Sequence, residues 1–150
     1  MLQELLELNI FAFFLIFARI GTAMVFLPGF SAAYVSTLLR LGIALAISFL
    51  VLPTLARDLP LPPNSAFELA NMMGAEILVG AFIGLIMRIM ISALQTAGTI
   101  AALASSMANA LINDPIADQQ SSTISGFLLT TAIVLIFVSD MHHLMLRAVV

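Results

Sequence analysis

Four apolar runs decide what this chain can fold into. The first extends from about Leu5 to Leu27 and stops at Pro28-Gly29. The second, LLRLGIALAISFLVL, covers Leu38 to Leu52 and is closed by Pro53. The third begins near Phe67 and reaches Leu94, and the fourth covers Ile124 to Val138 and continues through DMHHLMLRAVV. A helix that crosses a bilayer needs about 20 apolar residues. By that measure the first and third runs suffice, and the second, 15 residues between its Leu ends, is short. The fourth reaches the length only by taking in Asp140, His142 and His143.

Composition settles the solvent. Apolar residues make up 62% of the 150 and charged residues 9%, with mean hydropathy +1.17. A soluble domain is about one quarter charged; this chain lacks the polar groups to cover a surface in water. In lipid only helices and closed barrels satisfy the backbone, and nothing here alternates with period two. The expected fold is all-α: about four long apolar helices of integral-membrane type in one domain. The proline-rich stretch Ala56-Ser65 is the clearest connection between them.

Charge and termini exclude several classes. The net charge of −3, with five Arg and no Lys, leaves no nucleic-acid footprint. Arg40 and Arg57 flank the second run on opposite sides, so the positive-inside rule assigns no orientation. Glu4 and Glu7 stand where a secretory leader would be basic. HLMLRAVV ends inside an apolar run without a cap, which suggests a chain continuing beyond Val150.

Between Gln95 and Pro115 the chain reads QTAGTIAALASSMANALINDP, too polar for lipid and too uncharged for an ordinary wet surface. On a helical wheel Gly98, Ala102, Ser106, Asn109 and Asn113 share an arc of roughly 80°. Ile100, Leu103, Met107 and Leu111 fall opposite. A small, polar face suits a close helix–helix contact, or the lining of a narrow, partly wet passage. Gly80 and Gly84, in GAFIG, form a second small face that signals tight packing.

Arg19, Glu76 and Arg88 lie in or beside apolar runs, where charges face protein, water or the membrane boundary. Arg19 and Glu76 are candidates to pair across neighbouring helices, and such buried charges are also what a self-contained channel or small-solute transporter would carry. Asp140, His142 and His143 invite a metal reading. Adjacent histidines point to different sides of a helix, however, and Asp140 with His143 supplies only two same-face ligands where zinc wants three or four. No metal or other cofactor is expected. Ser125-Gly126 with a downstream His has no spacing that marks a catalytic triad, so no catalytic residue is assigned.

In order along the chain, these features resemble the FliR family, the export-gate subunit of bacterial flagellar and virulence type III secretion. The match is carried by Arg19 followed by Pro28, VSTLLRLGIALAISFLVLP, Glu76 with Gly80 and Gly84, and Ala97-Gly98 running to Asp114-Pro115. FVSDMHHLML stands where the family has an Asn-Gly-His helix, with Asp140-Met141 in place of Asn-Gly. Ser36 replaces a common Pro, and Thr99, Ala102, Ser105 and Ser106 replace Glu, Gly, Met and Gly. The resemblance implies a non-enzymatic pore subunit, packed as helical hairpins within a helical pore assembly, in the bacterial inner membrane at the flagellar basal body. It implies assembly with FliP-like, FliQ-like, FlhB-like and FlhA-like proteins, and transient contact with unfolded exported protein. It also implies a plug over Ser105-Gln119, with Ser105, Ser106, Met107, Asn109, Asn113, Asp114 and Pro115 as pore residues. Gln95 to about Ala104 is then packed helix, with the mobile part from Ser105 onward.

Overall fold

A computed structural model describes the chain except residues 1, 33, 57, 58, 61, 64, 106–110 and 115–118; side chains are described for the remainder apart from 2–8, 111–114 and 119–121. The elements are α1 (Leu2–Phe26), α2 (Thr37–Leu55), α3 (Ala66–Ala104), β1 (Leu111–Asp114), β2 (Gln119–Ser122), α4 (Thr123–Val138) and α5 (Met141–Val149). The architecture is helical. A two-stranded antiparallel ribbon of β1 and β2, pairing Leu111 with Ser122 and Asp114 with Gln119, joins α3 to α4.

Local chemistry sets the helix ends. Ser36 caps α2, its Oγ accepting from the Leu39 N–H at 3.2 Å, and Ser65 caps α3 by accepting from the Glu68 N–H at 3.2 Å. Ser and Glu three residues apart make the familiar helix-start pairing, and Glu68 also complements the positive end of the dipole. The run expected to close at Pro53 continues as helix to Leu55. Proline has no N–H to give the carbonyl of Phe49, so the helix gives up that one bond and continues for only two more residues. With Ser36 capping its start, α2 reaches 19 residues, so the second run is long enough to span after all. Among the described residues three helices meet the length and hydropathy of a span, or four if α4 and α5, bent by 79°, count as one.

α1 is the central helix. Ile16, Ile20, Ala23, Met24 and Leu27 are buried, and Ala44 of α2 and Val149 of α5 join them in one core. About a third of the spanning part of α1 is buried, against 11% for α2 and α3. α3 is the spine: its 39 residues rise about 58 Å, nearly twice a hydrocarbon core. Its buried residues are Gly80, Gly84, Gly98 and Ala102. Gly98 lies about five helical turns beyond Gly80, and so on the same face. The amino-terminal half of this stripe receives α1 and the carboxy-terminal half receives α4.

The two riders meet end to end. Pro28-Gly29 ends α1, with Gly29 at φ +86°, and an added Cβ there would lie 2.6 Å from the Phe137 ring of α4. Only glycine meets both demands at low cost. Phe30 and Phe137 pack with centroids 5.8 Å apart. α4 therefore runs into the exit loop of α1 and breaks after Val138; Asp140, left-handed at φ 57°, redirects the chain into α5.

Candidate functional site

Three arrangements include the residues singled out above. The first is the α1–α3 seam. Arg19 Nε donates to Glu76 Oε2 at 2.5 Å, with side chains 29% and 17% exposed. A Cβ on Gly80 would collide with the Arg19 carbonyl oxygen, and one on Gly84 would lie 2.8 Å from Phe26 Cβ and 2.9 Å from the Ala23 carbonyl. The glycines thus bring the backbones together, and the ion pair forms within the same seam. A largely apolar cavity of about 180 Å³ opens beside the pair, lined by Ile16, Leu55 and Leu59 among others. Arg88 is exposed and faces no partner among the described residues.

The second is the α3–α4 seam. Gly98 would place a Cβ 2.7 Å from Ser125 Cα, and the Ser125 hydroxyl donates to the Gln95 carbonyl at 2.9 Å. Ser122 caps α4 by accepting from the Ser125 N–H at 3.2 Å. Ser125 is fully buried and its hydroxyl proton is committed, an arrangement for packing and not for nucleophilic attack. Gly98 and Ala102 are buried while Ile100 and Leu103 are each 62% exposed, so in this part of the stretch the small face makes the helix contact.

The third is the segment after α3. The Ser105 backbone N–H bonds back to Ala101, and its hydroxyl donates to the same carbonyl at 2.8 Å, closing the helix. The helical wheel drawn through Asn113 therefore fails beyond this point: Leu111, Asn113 and Asp114 are on β1, with Asn113 opposite Gln120. Ala-rich propensity favours helix here, but pairing with β2 competes and wins. Ser105 is exposed. Ser106, Met107, Asn109 and Pro115 lie outside the described residues, as do the side chains of Asn113 and Asp114.

Sequence reasoning passed over Arg40. Its guanidinium donates to the carbonyls of Phe30 at 3.0 Å and Val35 at 3.4 Å, tying down the α1–α2 loop. Its place at the start of an apolar run was the available signal.

Seams and fold together define a membrane-embedded helical protein whose helices are joined by close glycine contacts, an ion pair and a Ser hydroxyl bond. Its relatives give that class a family. The family model for bacterial export proteins, family 1, matches residues 10–150, and the chain belongs to that family. It is 27% identical over 136 residues to the flagellar biosynthetic protein FliR of Caulobacter vibrioides, covering 91% of this chain and 54% of that protein. FliR of Bacillus subtilis is 31% identical over 140 residues, covering 92% and 52%. The Yop proteins translocation protein T of Yersinia pestis is 32% identical over 140 residues, covering 93% and 53%. The chain thus spans about half the length of the curated relatives it matches. No solved structure matches it.

Proposed function

We propose that the chain acts as a pore and gate subunit of a bacterial type III protein-export apparatus, forming and closing part of the entrance for unfolded substrates. The reading rests on membership of the export family, and on relatives named for flagellar biosynthesis and Yop translocation. One structural observation carries it further. The small-residue stripe of α3 is taken up by α1 and α4 as far as Ala102, and the segment read as a plug begins at the exposed helix end, Ser105. In this reading α3 is a spine that carries the segment from Ser105 onward to one place, where its small and polar residues would serve as a gate for chains of varied sequence.

In this reading the subunit resides in the inner membrane within the flagellar or equivalent basal body. Its exposed apolar faces pack against FliP-like and FliQ-like neighbours, with FlhB-like and FlhA-like proteins close by. It catalyses nothing; the polar residues hold helices and line the passage. Replacing Ser106, Met107, Asn109 and Asn113 by Gly or Ala, in the full-length protein in cells, tests the gate. Altered substrate export or raised ion leakage is the expected result. Unchanged export together with unchanged leakage would overturn it. Co-purification of FliP-like and FliQ-like proteins from mildly solubilised membranes tests the assembly, and solute flux by the purified protein alone would favour a self-contained channel instead.

A further inference from the structure

The elbow between α4 and α5 brings together donor atoms that a straight helix would separate. Asp140, His142 and His143 each offer one ligand atom, and these atoms lie within 4.8 Å of one another. His142 and His143 are neighbours on α5, yet their imidazole rings lie with centroids 4.1 Å apart, and the left-handed Asp140, where the chain turns by 79°, brings its carboxylate beside them. Three donors then converge where two were expected.

None of the three side chains makes a hydrogen bond among the described residues. His143 Nδ1 faces Asp140 Oδ1 at 3.7 Å, too long for one. His142 stacks on Phe137, centroids 5.0 Å apart, and its Nδ1 is buried with no partner. An unsatisfied buried nitrogen costs on the order of 1–3 kcal/mol unless something binds it. We propose that Asp140, His142 and His143 form a site for a divalent transition-metal ion of the zinc class, which fixes the α4–α5 elbow.

The donor set selects the class: two imidazoles and one carboxylate suit Zn²⁺ and its neighbours, whereas Mg²⁺ and Ca²⁺ want oxygen. Zinc bonds of about 2.0–2.1 Å set tetrahedral ligand atoms roughly 3.4 Å apart. Asp140 and His143, with side chains 80% and 71% exposed, are free to rotate through the remaining ångström or so. His142 is held by its stacking and supplies the fixed point. Three protein ligands leave a position open to water or to a donor from a neighbouring chain. The carboxyl end of α4 and the amino end of α5 meet here, so their end charges largely offset each other toward a cation.

The test is titration of the tag-free protein, purified in detergent, with Zn²⁺ alone, followed by calorimetry and metal analysis. One equivalent per chain is expected, with His143→Gln and Asp140→Asn each weakening binding at least tenfold. Both positions are exposed, and Asn tolerates the left-handed backbone, so helicity by circular dichroism should not change. Spin labels at Val134 and Leu144 should report a distance distribution that narrows when Zn²⁺ is added, and not in His143→Gln. Absence of stoichiometric Zn²⁺, or equal affinity in the wild type and both variants, would overturn the site.

Discussion

The two halves of α3 use the same device for different ends. In the α1–α3 seam, Gly80 and Gly84 bring backbones into contact and an ion pair sits between the helices. In the α3–α4 seam, Gly98 likewise brings the backbones together, yet the polar link is one neutral bond from Ser125 to a carbonyl. Small residues set how near two helices come; the polar group sets how much is lost when they part. A charged pair shielded from water is costly to open because each partner is left without the other, whereas a neutral bond contributes about 1 kcal/mol. The stronger seam surrounds the central helix. The weaker one lies next to Ser105 and the ribbon, where the proposed gate segment begins.

The sharpest break of this contrast is Glu76→Ala, which strands Arg19. It should cost about 3 kcal/mol, near the low end for a buried pair because both side chains keep some exposure. Unfolding of the purified protein in detergent, followed by circular dichroism, gives the value. Replacing both partners by Leu should restore stability to within about 1 kcal/mol of the wild type, since no charge is then left unpaired. Next come the glycines. Gly80→Ala drives a methyl into a backbone carbonyl and Gly98→Ala drives one into Ser125, so each should destabilise by about 1–3 kcal/mol. Gly80→Ala should be the worse, because the added methyl would come closer to the Arg19 carbonyl oxygen than the one at position 98 would come to Ser125 Cα. The smallest change is Ser125→Ala, expected at about 1 kcal/mol in the same measurement. Gly42→Ala, with nothing within 4 Å, is the control and should stabilise slightly, by up to about 1 kcal/mol. A loss there as large as at Gly80 would show that these glycines act through helix propensity and not through close approach.

The helices were legible because burial in lipid demands long apolar runs, and those runs are written openly between prolines. Helix ends were less so: Pro53 looks like a stop, and only the two residues after it show that a last turn tolerates it. The wheel over Gly98 and Ala102 identified a real contact face, but continued too far. Nothing local in ASSMANALIND announces that Leu111 to Asp114 will pair with Gln119 to Ser122, since strand pairing is a property of two segments. Arg19 and Glu76 were visible as expensive charges, whereas their meeting across 57 positions depends on the parallel course of α1 and α3. The elbow at Asp140 was hidden for the same reason. It arises where α4 meets the exit loop of α1, a collision that no stretch of sequence contains.

The central claim is that a rigid spine presents the segment from Ser105 onward to passing chains. A photo-crosslinking residue at Ser105, in the assembled apparatus in cells with a stalled export substrate, tests it most directly. The same residue at Phe49, exposed on α2, serves as reference. Substrate crosslinked at Ser105 and absent at Phe49 is the expected result. Equal crosslinking at both positions, or none at Ser105 while the substrate remains stalled, would contradict it.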